Sequence, residues 1–200
     1  MERMSQGTEL FEDVFLASLY DHFNRWAACD DFFLGFAQEI GGRVLDLGCG
    51  TGTLACRIGM AGLAVTGVDS SEAMLRVARS RPGSERVNWI QAKGQDLHSV
   101  LRFDFVYMTG HAFQMLPTDD DAISLLRTVR GHLTEDGLFV FETRNPERKA
   151  WLAWTPDRRD CVTTLEHAVS RNLVKRQPTP RQGLWISRST TGFWTRASQQ

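Results

Sequence analysis

Between Val44 and Ala55 the chain reads VLDLGCGTGTLA: an apolar run broken only by Asp46, then Gly48, Gly50 and Gly52 at alternate positions, then apolar residues again. Few backbone paths accept such a stretch. The apolar run suits a buried strand, and the glycines suit a tight turn whose dihedrals other residues avoid. The residues from Thr53 onward suit a helix. A strand, a glycine turn and a helix in that order put the turn at the carboxyl end of the strand, the edge at which open parallel sheets bind ligands.

The same rhythm repeats across residues 43–144, where RVLDL, LAVTGVD, VNWIQ, FDFVYMT and LFVFET alternate with TLACRIGMAG, SEAMLRVARS and DDDAISLLRTVRGHL. Short apolar runs that alternate with amphipathic segments predict an α/β fold, a doubly wound and mostly parallel sheet with helices on both faces. In the last of the helical segments Ala122, Leu125, Leu126 and Val129 share one helical face. Asp119, Asp120 and Asp121 stand at its N-terminus, where the helix dipole favours acids. Gly137 is expected to make the turn into LFVFET.

A chain of 200 residues with 42% apolar content supports one domain with a buried core. Within it, residues 1–42, with the aromatic-rich stretches ELFEDVFLASLYDHFNRWAA and DDFFLGFAQEI, are expected to form a helical lid. Residues 43–145 form the ligand-binding core. Residues 146–200 either complete the sheet or form a partly disordered basic tail, in which NPERKAWLAW reads as a short helix and CVTTLEHAVSRNLV and GLWISRSTTGFW as strands around the turn QPTPRQG. No apolar run spans a membrane and the first residues lack a secretory layout, so a cytoplasmic location is expected. The four cysteines, Cys29, Cys49, Cys56 and Cys161, contain no C-x-x-C pair, which argues against a zinc ribbon or a disulfide framework, and no metal is expected. The formal net charge is −1, but residues 1–143 carry 12 Lys+Arg against 20 Asp+Glu and residues 144–200 carry 11 against 4. The basic residues are scattered and do not cluster with aromatics, so a solvated surface is favoured over a nucleic-acid interface.

Two ligand classes compete for the glycine turn. A dinucleotide fingerprint is G-x-G-x-x-G, which lets a pyrophosphate rest on the helix N-terminus and would make the chain a nicotinamide-dependent oxidoreductase. Here the spacing is G-x-G-x-G, with Asp46 two residues ahead of the first glycine. A carboxylate so placed repels a pyrophosphate and attracts an ammonium group.

The pair DLGCGTG and VTGVDSSEAML resembles the class I S-adenosylmethionine-dependent methyltransferases, over about residues 10–145. The resemblance implies a Rossmann-like fold, with an antiparallel hairpin after the fifth strand drawn here from residues 155–200. It also implies that S-adenosylmethionine is the cofactor and S-adenosylhomocysteine the product. By the same resemblance Asp46, Gly48 and Gly50 wrap the methionine part, and Asp69 accepts from both ribose hydroxyls, as two carboxylate oxygens can. Ser70 and Met74 lie beside the ribose and adenine, Tyr20 in YDHFN reaches the cofactor from the N-terminal helix, and Thr109 opens the loop after the fourth strand. Where relatives place an acid against the adenine amine, this chain has Lys93, which cannot accept a hydrogen bond. Gly94, Gln95 or Asp96 then takes over that contact.

Methyl transfer to an acceptor asks for positioning and for a proton acceptor. His111, in TGHAFQML, is the candidate catalytic base. Glu142, Arg144 and Asn145 are candidate substrate contacts, and Asp104 is expected to be structural. The loop after the fourth strand lacks the N-P-P-Y type of signature, which favours a small-molecule acceptor, methylated on oxygen or nitrogen, over nucleic acid. A methyltransferase-like binding protein without activity stays open as the alternative, because of Lys93 and the irregular tail. The oligomeric state is not legible.

Overall fold

The computed structural model describes residues 11–145, the single residues Glu147, Lys149 and Leu152, and the backbone of four later strands, Arg159–Thr163, Ala168–Asn172, Trp185–Arg188 and Trp194–Arg196. Helices α1 (Val14–Phe23) and α2 (Ala28–Ile40) come first. They are followed by β1 (Arg43–Leu47), α3 (Thr53–Met60), β2 (Ala64–Asp69), α4 (Glu72–Ser80), β3 (Val87–Gln91), β4 (Phe103–Met108), α5 (Asp119–His132) and β5 (Leu133–Phe141). The later strands are β6 to β9 in the order given above.

The sheet runs β3-β2-β1-β4-β5-β8-β9. The first five strands are parallel, while β8 pairs antiparallel with β5 and β9 with β8, which supplies the antiparallel hairpin expected at that edge. β6 and β7 form a separate antiparallel pair. Of the stretches assigned to the C-terminal part, the turn QPTPRQG and six of the ten residues of NPERKAWLAW lie outside the described residues. Strand order reverses between β1 and β4, so the crevice of this sheet opens above their carboxyl ends.

Alternation along the strands divides the core in two. Leu45, Leu47, Val106, Phe139 and Phe141 face α5, which presents Ala122, Leu125 and Val129. Val44, Val65, Phe105, Tyr107 and Val140 face α2 and α3, which present Phe33, Ala37, Leu54, Ala55 and Ile58. α2 therefore belongs to the layer that covers the sheet. Of the segment expected to form a lid, α1 alone crosses the loops at the carboxyl edge.

Helix starts follow the capping residues: the Thr118 hydroxyl accepts from the N–H of Asp121 and the Asp121 carboxylate accepts from the N–H of Thr118, a reciprocal box at the start of α5. Gly137 does not make a turn. It lies inside β5, where a Cβ would come within 2.8 Å of the Phe103 carbonyl oxygen, so its role is close approach of two strands. Asp104 is structural as expected, accepting from the N–H of Arg43 at 2.8 Å and from the Thr134 hydroxyl at 3.2 Å.

Candidate cofactor and active site

The site is built where three loops leave the sheet. After β1, Gly48 and Gly50 adopt φ of 77° and 53°. At Gly48 a Cβ would stand 2.8 Å from the Ala112 methyl of the loop after β4, whereas at Gly50 it would meet no atom within 4 Å. The turn thus packs tightly on one side and is open on the other. Its N–H groups are anchored: Gly48 and Cys49 donate to the Val68 carbonyl, and Gly50 donates to Oδ2 of Asp69 at 2.8 Å.

Asp69 ends β2 and is held a second time, through Oδ1, by the N–H of Ser71 at 2.9 Å. Each oxygen keeps a further lone pair. Burial raises the carboxyl above its ordinary value, and the backbone donors at Ser71 and Gly50 pull the other way.

Asp46 lies deeper, 2% exposed, on the face of β1 that packs toward α2. Its Oδ2 accepts from the Tyr107 hydroxyl at 2.8 Å, across the register pair that joins β1 to β4 at the reversal of strand order. Its Oδ1 is buried and has no hydrogen-bond partner among the described residues. Burial pushes this carboxyl up to about 7, against the lowering pull of the Tyr107 hydroxyl. A buried carboxylate oxygen without a donor is costly, and a ligand ammonium is the group that would relieve it.

Above the turn, α1 is fastened to the carboxyl edge. Asp21 accepts from the Thr51 hydroxyl and forms an ion pair with Arg81, whose Nε donates to the Thr51 carbonyl at 2.9 Å. The Ser71 hydroxyl donates to the Phe11 carbonyl. Tyr20 packs with Phe11, Ala17, Ala73 and Met74, and its hydroxyl lies 3.6 Å from where a Gly110 Cβ would be. It therefore spans the loops after β2 and β4.

On the acceptor side, His111 adopts φ 62°, a conformation non-glycine residues rarely take. Its N–H donates to Oε1 of Glu142 at 3.3 Å, and its Nδ1 stands 3.6 Å from the same oxygen. Burial, with Arg144 adding to it, lowers the His111 pKa to about 4, so the ring is neutral across the physiological range. Burial raises Glu142.

Asp46, Gly48, Gly50, Asp69, Thr109 and His111 thus stand at the carboxyl ends of β1, β2 and β4 or in the loops that follow, with Tyr20 of α1 packed against them. Ser70 is exposed on the loop after β2, and Met74 is buried in the cluster beneath α1. The segment Gly94–Asp96 is a single 3₁₀ turn tied to α5: a Gly94 Cβ would stand 2.6 Å from Leu125, and the Gln95 carbonyl accepts from the Thr128 hydroxyl at 2.9 Å. That bond occupies a backbone acceptor expected to serve the base. Lys93 and Asp96 are exposed. Sequence reasoning missed Tyr107, Asp21, Thr51 and Arg81. No group of His, Cys, Asp or Glu side chains suited to a metal ion occurs among the described residues, nor a helix long and apolar enough to cross a membrane.

Residues 44–137 match the model of a family described as the methyltransferase domain. YqeM of Bacillus subtilis (strain 168), whose name makes it provisionally a methyltransferase, is 30% identical over 136 residues, covering 64% of this chain and 54% of its own length. The ubiquinone biosynthesis O-methyltransferase of Pseudomonas syringae pv. tomato is 32% identical over 118 residues, covering 58% and 50%. The chain spans about half the length of the curated relatives it matches. Among solved structures, an S-adenosylmethionine-dependent methyltransferase from Clostridium acetobutylicum ATCC 824 shares the fold with a TM-score of 0.64 at 20% identity, covering 90% of this chain and 76% of that one.

Proposed function

We propose that the chain belongs to the class I S-adenosylmethionine-dependent methyltransferases and that it transfers the methyl group of S-adenosylmethionine to an oxygen or nitrogen atom of a small-molecule acceptor. The observation that carries the cofactor part of this reading is Oδ1 of Asp46, buried and unpartnered beneath a glycine turn that leaves open space at Gly50. The match of residues 44–137 to the methyltransferase domain favours this reading over the nicotinamide one.

The residues fit the cofactor. Asp46 would take the ammonium group, the backbone from Gly48 to Gly50 would follow the methionine part, and the remaining lone pairs of Asp69 would accept from the ribose hydroxyls. Tyr20, Ser70, Met74, Thr109, Gly94, Gln95 and Asp96 complete the proposed cofactor surface, with Asp96 as the side-chain acceptor for the adenine amine. α1 acts as a lid in this reading, held by the Asp21–Arg81 pair and by the Ser71 hydroxyl on the Phe11 carbonyl.

When bound, S-adenosylmethionine supplies a methyl carbon on a cationic sulfur that departs as a neutral thioether. His111 accepts the proton that the acceptor atom gives up as its bond to that carbon forms. A proton on Nδ1, the nitrogen that faces Glu142, leaves Nε2 with the free lone pair. Arg144 and Asn145 follow Glu142 by two and three residues and would orient the acceptor, a small molecule and not nucleic acid. A cytoplasmic setting is part of the same proposal.

Incubation with S-adenosylmethionine and a panel of phenols, hydroxy acids and amines, followed by mass detection of S-adenosylhomocysteine and methylated product, tests the reading. Product with a panel member supports it. Tight binding of S-adenosylhomocysteine with no turnover on any acceptor would favour a regulator that only binds the cofactor.

A further inference from the structure

We propose that Tyr107 is a positioning residue for cofactor binding, whose hydroxyl fixes one oxygen of Asp46 and so reserves the other for the ammonium group of the methionine part. The inference rests on the proposed function and extends it to a residue on the neighbouring strand.

Four observations lead there. Tyr107 and Asp46 are register partners on the two strands at which the sheet order reverses, so a side chain on one reaches its opposite number without crossing a loop. Tyr107 is fully buried and its ring is held from two sides, by Phe33 of α2 at 5.7 Å and by Phe105 at 5.5 Å between centroids, which leaves the hydroxyl little freedom. Its proton is secure, because burial and the adjacent Asp46 push its pKa well above the ordinary tyrosine value. The bond satisfies Oδ2 alone, at 2.8 Å, and leaves Oδ1 buried with no donor.

An asymmetric carboxylate follows from this. With Oδ2 engaged by a donor that does not ionise, Oδ1 is the oxygen more open to a proton arriving on Asp46, and it is the atom the ammonium needs. Protonation and ligand binding therefore compete for one oxygen. The groups around it set where that competition falls: Tyr107 from β4 stabilises the charged form, while burial, Asp69 at the end of β2 and Asp30 of α2 oppose it. Cys49, in the turn itself, stays a thiol because burial raises it far above its usual range. Cofactor uptake should then strengthen as pH rises through neutrality, and removal of the tyrosine hydroxyl should move that rise to higher pH.

Isothermal titration with S-adenosylhomocysteine between pH 5.5 and 8.5 tests the inference. 5′-Methylthioadenosine, which lacks both the ammonium and the carboxylate, serves as the second probe. In the native protein S-adenosylhomocysteine should bind several-fold more tightly at pH 8 than at pH 6, with methylthioadenosine nearly flat. Tyr107→Phe, which keeps the ring, should weaken S-adenosylhomocysteine about tenfold at pH 7, recover most of that loss at pH 8.5, and leave methylthioadenosine unchanged. Asp46→Asn should hold the weak, acid-side affinity at every pH, and it decides the matter should Tyr107→Phe fail to fold. A Tyr107→Phe loss that is equal at all pH values and equal for both probes would reduce Tyr107 to a packing residue and overturn the inference. A pH-dependent affinity that survives Asp46→Asn would overturn it as well. Methylthioadenosine binding without any S-adenosylhomocysteine binding would overturn the placement of the ammonium, and absence of both would overturn the cofactor reading beneath it.

Discussion

Gly50 donates its backbone N–H to the carboxylate of Asp69 at 2.8 Å, so the turn after β1 and the end of β2 brace each other although 19 residues separate them. The bond orients the carboxylate along the crevice with unused lone pairs, and it fixes the glycine turn at a point where the backbone faces open space. Two acids of different character then stand within one site: Asp69, held by backbone donors, and Asp46, half-satisfied and deeply buried.

Asp46 should cost the fold stability at neutral pH. Burial lifts its carboxyl from 3.8 to about 7, so the native state keeps a proton that the unfolded chain has released. The contribution is fully present below pH about 4 and is lost as pH rises through 7, beyond which the native state bears a penalty of up to about 4 kcal/mol. Asp46→Asn carries no charge at any pH. Its stability relative to the native protein should therefore grow from pH 5 to pH 8 in urea unfolding, while its affinity for S-adenosylhomocysteine falls. A gain that is constant with pH would contradict the assignment of an ionised buried carboxylate.

His111 combines a catalytic assignment with a strained backbone. His111→Ala should lower turnover by about 10²- to 10⁴-fold and change S-adenosylhomocysteine affinity little. His111→Gly should lose as much turnover yet unfold at higher denaturant than His111→Ala, by about 1 kcal/mol, because glycine accepts φ 62° freely. With a pKa near 4, His111 should not by itself cause an acid limb between pH 6 and 8. Full activity of His111→Ala from pH 6 to 9 would return the residue to a structural role.

Lys93 stands where the family resemblance implies an acid. Lys93→Asp should restore an acceptor for the adenine amine and tighten S-adenosylhomocysteine by about 1.5 kcal/mol, near tenfold. Asp96→Ala should then weaken the native protein more than it weakens Lys93→Asp. Calorimetry on both single variants and the double variant decides this. Strict additivity with no tightening would mean that neither side chain reads the base.

How much of this was legible in the sequence depended on the range of each interaction. The strand–turn–helix at Val44–Met60 is a local pattern of apolar period and glycine, and the five parallel strands followed from its repetition. Asp46 and Asp69 were legible because both stand at fixed offsets from a strand end. Tyr107 was not, since FDFVYMT reads as a plain buried strand and only the register with β1 brings its hydroxyl to Asp46. Asp21 and Arg81 lie 60 residues apart with no local pattern that links them, and their pairing is a product of how α1 crosses the edge. Gly137 misled because a glycine required by a neighbouring carbonyl looks, in one dimension, like a glycine required by a turn.

The central claim is that this crevice holds S-adenosylmethionine through its glycine turn and the acid at the end of β2. Titration of native protein and of Asp69→Ala with S-adenosylhomocysteine, with NADH as the control ligand, tests it most directly. The account predicts saturable binding of S-adenosylhomocysteine to the native protein, none of NADH, and a loss of about 1.5 to 3 kcal/mol, ten- to a hundredfold, in Asp69→Ala. No binding to the native protein, or unchanged affinity in a folded Asp69→Ala, would contradict it.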